Sequence, residues 1–275
     1  MNKDYIILHK QDPTLPKIKL FLLFMKGDQR ISDAFDWSLA VSDKINAMKV
    51  LFEEVLEQLP QCFDELKEIK ERGYGNDVEC LKLARKYEIF LNSIYSLCEN
   101  ISRIVAYLYP DKNLPQNFFK QKNRFLEQEI DSIYGEILVN TDWDDEVRSI
   151  RSEATHYLSG FITISSSTEL GYFNKPKSER KGTPKNISIN DVEKHINQVY
   201  DNVCAFLSAF GDHFLKIVNQ DSRIALPCIR TSSGLIGTKS ISLREYLNNE
   251  AGICLTSDFD CPLKDSCNAH RKSKK

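Results

Sequence analysis

Apolar side chains recur every three or four residues through most of the chain from residue 31 to about residue 220, a spacing typical of helices with one buried face. The spacing predicts five helical segments. They cover residues 31–59, 77–109 and 118–139, a segment beginning at Asp142, and a segment beginning at Asn190 or Asp191. Pro60 and Pro110 are expected to end the first two segments. The sequence therefore predicts a mainly α fold.

Short apolar runs outside these helices predict small β elements. The runs lie at residues 5–8, 18–25, 162–164, 171–173, 224–229 and 235–243. The middle two are expected to form a hairpin between the fourth and fifth helices. We therefore divide the chain into a β and loop segment (1–30), a helical bundle (31–221) that contains a basic hairpin (162–189), and a C-terminal cysteine-rich extension (222–275).

The overall charge excludes a polycation, because 37 Lys and Arg residues face 39 Asp and Glu residues and the net charge is −2. Any nucleic-acid binding must then use local basic patches. The candidates are Lys177, Arg180 and Lys181 in the hairpin and Arg271 and Lys272 near the last residue. The alternative for the hairpin is a solvated loop. No apolar run is long enough for a membrane span or a signal peptide, so we expect a cytoplasmic protein with no membrane partner.

The fourth predicted helix carries Arg151 and His156, which are separated by four residues and followed by Tyr157. Here the chain resembles the HEPN superfamily, small helical domains marked by Arg, four to six residues, and then His. The resemblance covers roughly residues 31–220. It implies a HEPN-like bundle that forms a homodimer through this helix, and an endoribonuclease activity that needs no metal ion.

The resemblance implies a role for each of the two residues. His156 would take the proton from a ribose 2′-hydroxyl or give one to the leaving oxygen, and Arg151 would hold the phosphate. Residues five apart lie about 140° from each other around a regular helix. We therefore expect either a distorted helix or a composite site in which His156 faces a second protomer. The alternative is that Arg151 pairs with Glu153 or another acid and that His156 is an ordinary exposed histidine.

The second predicted helix carries a narrow polar seam on an otherwise apolar surface. Its members follow spacings of four, three, four and four residues: Glu88, Asn92, Tyr95, Glu99 and Arg103. In a HEPN-like bundle this seam can face the helix that carries Arg151. We predict that Glu99, or less favourably Glu88, orients Arg151 or tunes His156. The alternative is a solvent-facing stripe in which Glu99 pairs with Arg103.

The C-terminal extension contains four soft metal ligands within seventeen residues, Cys254, Cys261, Cys267 and His270. Their spacing predicts a structural, tetrahedral zinc site. The segment has few large apolar residues, so bound metal would supply the energy that orders it. Cys228 is an alternative to His270 as the fourth ligand. The other alternative is a flexible tail with reduced thiols.

Three classes of function remain open at this point. The first is a HEPN-like endoribonuclease, which would be a toxin or anti-phage effector restrained by an antitoxin or another defence protein. The second is a catalytically inactive HEPN-like module that binds RNA or a protein within a larger complex. The third is a structural helical subunit. The sequence contains no Walker, dinucleotide, G-x-S-x-G or H-E-x-x-H motif that would indicate another chemistry.

Overall fold

In the computed structural model the chain is mainly helical, as the apolar spacing predicts. The structure describes residues 5–7, 15–156, 159–164, 169–174, 187–232, 234–256 and 261–273. The chain divides into two compact units. Residues 39–210 form the helical unit, and residues 1–38 together with 211–275 form the mixed unit. None of the helices within the described ranges has the length and apolar character to cross a membrane.

The helices account for most of the described residues. In chain order they are α1 (Lys17–Phe24), α2 (Ala34–Arg72), α3 (Val78–Leu108), α4 (Phe118–Gln128), α5 (Ser132–Val139), α6 (Trp143–His156), α7 (Val192–Ile217), α8 (Leu243–Leu247) and α9 (Asn268–Ser273). The strands are β1 (Tyr5–Ile7), β2 (Phe161–Ile164), β3 (Leu170–Asn174), β4 (Ile187–Ile189), β5 (Arg223–Thr231), β6 (Ile236–Ser242) and β7 (Ile253–Cys254).

The helical unit is built around α3, which packs against α4, α6 and β2. Its apolar residues are buried around much of the helix; Tyr87, Phe90 and Ile94 are fully buried. Each fully buried side chain of this size contributes about 1.5–3 kcal/mol through the hydrophobic effect. Asn117 accepts a hydrogen bond from the Lys120 N–H and so caps the start of α4. The result is a rigid central helix that fixes the side chains facing α6.

A small antiparallel sheet, in the order β2–β3–β4, belongs to the helical unit. Ile162 pairs with Tyr172, and Tyr172 in turn pairs with Ile189. The hairpin predicted between the fourth and fifth helices is confirmed, and β4 adds a third strand to it. Of its predicted basic residues, Lys177, Arg180 and Lys181 lie outside the described residues.

The mixed unit contains a second antiparallel sheet, in the order β1–β5–β6–β7. The register of β5 against β6 shifts between Pro227 and Ile229, which leaves Cys228 without an opposing residue in a β-bulge. Gly252 precedes β7 with φ of 75°, and a Cβ there would lie 2.5 Å from the Ser240 carbonyl oxygen. Glycine alone adopts this positive φ without strain and has no Cβ to collide with Ser240, so β7 can approach β6 closely.

The prediction of a strand at residues 18–25 is wrong, because residues 17–24 form α1. Pro16 precedes the first turn, a position that suits proline. The run is apolar on several sides, and its buried members are Ile18, Leu20, Phe21, Leu22 and Phe24. A short run that is buried all round has no periodicity that separates strand from helix.

Two predicted helix boundaries also need correction. Pro60 does not end its helix but lies inside α2, which continues to Arg72. Pro60 is exposed, whereas its neighbours Leu59 and Cys62 are buried. Their packing offsets the single hydrogen bond that proline removes. The predicted segment 118–139 is two helices, because Glu129 adopts a positive φ of 47° and Asp131 caps a new helix.

Candidate functional site

Arg151 lies on α6 against the polar seam of α3, as the spacing of the seam predicts. Its guanidinium carbon lies 4.5 Å from the centroid of the Tyr95 ring, and its Nε donates to the Asn92 side-chain oxygen at 3.4 Å. The terminal nitrogens Nη1 and Nη2 donate to no group within the described ranges, and no described carboxylate pairs with them. The cation is therefore oriented by an aromatic ring and an amide, while its outer edge stays available for an anion.

His156 is the last residue of α6 and is exposed. The buried residues of the helix are Trp143, Asp144, Val147, Ile150 and Glu153. Arg151 is half-buried beside this face. The helix is regular from Trp143 to His156, so the expectation of a local distortion is wrong, and the two side chains point about 140° apart. Tyr157 lies outside the described residues.

Glu99 holds the start of α4. Its Oε1 accepts from the Asn117 side-chain amide at 3.0 Å and from the Phe118 N–H at 3.1 Å. A carboxylate at a helix N-terminus satisfies an otherwise unpaired N–H group. Glu99 approaches Arg151 only through Tyr95, whose pKa is raised first by burial and then by the nearby Glu99 carboxylate, whereas Arg151 lowers it. The contacts of Glu99 are therefore structural, and an effect on Arg151 would pass through Tyr95.

Glu88, the other carboxylate of the seam, is buried and has three partners. Its Oε1 accepts from the Gly160 N–H at 2.7 Å and from the Tyr172 hydroxyl at 2.9 Å. Its Oε2 forms an ion pair with Arg85 at 3.0 Å. A Cβ at residue 160 would collide with the Tyr172 ring, so this close approach requires glycine. Glu88 thus joins α3 to the small sheet rather than to Arg151.

Asp144 is a buried carboxyl group at the start of α6. Burial raises its pKa to about 6, although the positive charges of Lys122 and Arg148 oppose the shift. Lys122 is itself buried and donates to the Thr141 carbonyl oxygen at 3.1 Å. Of the four acidic residues at positions 142–146, Asp144 is therefore the one that is buried close to two cations.

A chain of hydrogen bonds, buried at Tyr87 and His195 and exposed at Glu146, joins the helices α3, α7 and α6. The Tyr87 hydroxyl lies 2.7 Å from His195 Nδ1, and His195 Nε2 lies 3.0 Å from Glu146 Oε2. The hydrogen bond from His195 lowers the pKa of Glu146, against the effect of burial. The three residues are far apart in sequence, so no local spacing indicates their contact.

The predicted RNA contacts at the end of the chain are held by other parts of the same unit. Arg271 donates from Nη2 to the Asp265 carbonyl oxygen at 2.7 Å, and Lys272 forms an ion pair with Glu250 at 2.9 Å. Both interactions fix α9. Binding of RNA by these two side chains stays a prediction.

The three predicted cysteine ligands line one cavity of about 240 Å³ in the mixed unit, together with His270 and Cys228. Burial raises the pKa of the Cys228 thiol, and so do the neighbouring Cys254, Cys267 and Cys261, while Lys239 lowers it. Cys254, Cys261 and Cys267 thus lie close enough to Cys228 to raise its pKa. In the part of the chain that the structure describes, no three His, Cys, Asp or Glu side chains are arranged so as to hold a metal ion.

Comparison with known proteins adds no further constraint: no family model, no curated protein and no solved structure matches the chain.

Proposed function

We propose that the helical unit is an endoribonuclease resembling HEPN proteins, in which Arg151 of one protomer and His156 of another act on the same phosphodiester. The 2′-hydroxyl oxygen would attack the phosphorus, and the bond to the 5′-oxygen would break. The products are a 2′,3′-cyclic phosphate and a 5′-hydroxyl. As an effector of this kind, the protein would act as a toxin or in anti-phage defence, under the control of a partner protein.

The orientation of Arg151 is the observation that carries this proposal. A structural arginine at a helix interface usually pairs with a carboxylate, which neutralises it. Arg151 instead rests on Tyr95 and Asn92, and Nη1 and Nη2 donate to no described residue. A planar fork held in this way can bind two phosphate oxygens at once.

The geometry of α6 favours a site shared by two copies. His156 is exposed at the C-terminal end of the helix, where a second protomer can reach it. A single copy directs His156 away from Arg151, so one phosphate can meet both groups only if a second α6 lies alongside the first. This supports the dimer that the resemblance to HEPN domains implies.

The activity is tested by incubating the full chain with end-labelled RNA and identifying the product ends. We expect cleavage by the wild type, a loss of about 10²–10⁴-fold with His156→Ala, and about 10²-fold or more with Arg151→Lys. Arg148→Ala is the matched control. Arg148 lies on the same helix but stacks on Phe119 and pairs with Asp145, so this variant should cleave at nearly the wild-type rate.

Mixing the two inactive variants tests the shared site. In a dimer of one Arg151→Ala chain and one His156→Ala chain, one composite site keeps both groups and the other keeps neither. Subunit exchange should therefore restore about a quarter of the wild-type activity. No recovery after proven exchange would contradict the shared site, and a fully active His156→Ala variant would contradict the nuclease.

The second candidate is a module that binds RNA without cutting it. It is favoured by the separation of Arg151 from His156 within one copy, since the oriented guanidinium alone is enough to hold a phosphate. In this case the wild type would shift labelled RNA in a gel and leave it intact. Arg151→Ala would weaken the shift, whereas His156→Ala would not.

A further inference from the structure

The β-bulge in β5 turns Cys228 toward the C-terminal segment. Ile224 and Leu226 are buried with the alternation expected of a strand, and Ile229 is buried next, so the alternation changes phase at Cys228. A bulge of this kind redirects a side chain and is common beside functional sites. Here it leaves Cys228 without an opposing residue and places it in the wall of the cysteine cavity.

The other three cysteines reach the same cavity from three different places in the segment. Cys254 lies on β7, where it is held by pairing with Lys239 of β6. Cys261 begins a compact turn that is closed by a hydrogen bond from the Lys264 N–H to its carbonyl oxygen, at 3.0 Å. Cys267 ends the turn and starts α9, since its carbonyl oxygen accepts from the Arg271 N–H at 3.1 Å. The strand β7 and the two ends of the turn therefore each supply one sulfur.

His270 gives an independent indication of a ligand in the cavity. It lies in the first turn of α9 and lines the cavity beside Cys267. Its Nδ1 atom is buried and has no hydrogen-bond partner among the residues that the structure describes. A buried imidazole nitrogen without a partner is unfavourable, so this arrangement has room for a group that the nitrogen would contact. A metal-bound sulfur, which accepts hydrogen bonds, is such a group.

The segment has too few buried apolar residues to order itself. Ile253 and Leu255 are exposed, and Ala269 is the buried apolar residue of α9. Ordering the backbone of each residue costs conformational entropy, which a core of this size does not offset. Small domains of this composition are usually ordered by metal or disulfides, and all eight cysteines of this chain are free thiols.

We propose that Cys228, Cys254, Cys261 and Cys267 bind one structural Zn²⁺ ion in a tetrahedral site, with His270 beside it as a hydrogen-bond donor to a ligating sulfur. Each thiol releases its proton on binding, so four thiolates and one Zn²⁺ give a site of net charge −2. Lys239, which lines the cavity, partly neutralises that charge. The metal would link the C-terminal segment to β5. This ligand set has Cys228 in the place of His270, which the sequence spacing gives as the fourth ligand.

The test is the zinc content of the full chain, purified without chelators and measured by mass spectrometry. We expect one zinc per chain in the wild type and in His270→Gln, and less than about a tenth of that in Cys228→Ser. Cys204→Ser is the matched control, since Cys204 is an exposed thiol on α7 that does not line the cavity, and the variant should keep the zinc content of the wild type.

A second measurement on the wild type avoids variants that fail to fold. Titration with an organomercurial should release the zinc as four thiols react, and Co²⁺ in place of zinc should give the intense near-ultraviolet bands of tetrahedral thiolate coordination. The proposal is overturned if the wild type binds no zinc, if Cys228→Ser keeps a full equivalent, or if His270→Gln loses the metal.

Discussion

Two regions of the molecule contain many polar side chains: the contact of α3 with α6, and the cysteine cavity of the mixed unit. The two regions differ in how far the hydrogen-bonding groups of these side chains have partners. Along α3, Glu88 and Glu99 each accept hydrogen bonds from identified donors, and Asn92 and Tyr95 both contact Arg151. In the cavity, four cysteines are among the lining residues, and His270 Nδ1 has no hydrogen-bond partner within the described ranges.

This difference separates residues that complete the fold from residues that await a ligand. A buried polar group that is fully paired stabilises one arrangement of the chain, whereas an unpaired one costs free energy until something binds it. By this criterion Glu88, Glu99 and His195 belong to the architecture of the helical unit. Arg151, with its outer nitrogens unpaired within the described residues, and the cysteine cavity are the places where a ligand is expected.

The largest effect should come from removing the metal of the proposed zinc site. Binding of structural zinc to small domains is worth about 10 kcal/mol or more, so a chelator should unfold the segment from β7 to α9. We expect protease to cleave within residues 253–273 about tenfold faster or more when the chelator is present. Mass spectrometry of the fragments measures the cleavage rate and identifies the sites. The helical signal of the chain, measured by circular dichroism, should change little. Equal cleavage rates with and without chelator would contradict a structural role for metal.

The next largest effect should come from Glu88→Ala. The variant removes the acceptor of the Tyr172 hydroxyl and the nearer of two acceptors of the Gly160 N–H, which keeps the Tyr172 oxygen at 3.2 Å. The unpaired hydroxyl costs about 1–3 kcal/mol, and the N–H group costs less because it keeps one acceptor. We expect the free energy of unfolding, measured with urea, to fall by about 1–4 kcal/mol. Glu57→Ala, at an exposed position of α2, is the control and should stay within about 0.5 kcal/mol of the wild type. Equal losses of unfolding free energy for Glu88→Ala and Glu57→Ala would show that the paired Glu88 carboxylate does not stabilise the fold.

A smaller effect, of opposite sign, is expected for Asp144→Asn. The pKa of Asp144 is about 6 in the folded chain against 3.8 for an unperturbed Asp, so the folded state binds more protons between these values. Wild-type stability should therefore fall as the pH rises from about 4 to 6, by up to about 3 kcal/mol.

Asparagine has no carboxyl group to ionise and escapes this loss. We expect Asp144→Asn to be more stable than the wild type by about 1–3 kcal/mol at pH 7.5, and this gain should vanish near pH 4. Thermal or urea unfolding at several pH values measures it. A gain that is constant from pH 4 to 7.5 would be evidence against a raised pKa of Asp144.

Much of the helical unit follows from the apolar spacing alone. The limits of α3 and the seam of Glu88, Asn92 and Tyr95 depend on residues three or four apart, whereas the expected contact of the seam with the helix of Arg151 comes from the resemblance to HEPN domains. Local periodicity records the limits and the seam directly. The strand predicted at residues 18–25 fails for the complementary reason, because a short segment buried on several sides has no period to detect.

The remaining parts of the candidate sites depend on contacts between distant residues. Tyr87, His195 and Glu146 lie on three helices, and nothing near any of them in the sequence indicates the other two. The sequence suggests Cys228 only as an alternative ligand. The bulge that directs it into the cavity is set by the register of β5 against β6, which no short motif encodes.

The pairing of β1 with β5 links the first described residues of the chain to a strand that follows α7 in the sequence, Tyr5 with Thr231 and Ile7 with Ile229. During synthesis, β1 leaves the ribosome long before its partner strand exists. The helical unit, which is continuous in sequence, can fold in the interval. A nascent chain that stops before β5 would therefore expose an unpaired strand edge, which is a signal that chaperones and proteases can detect.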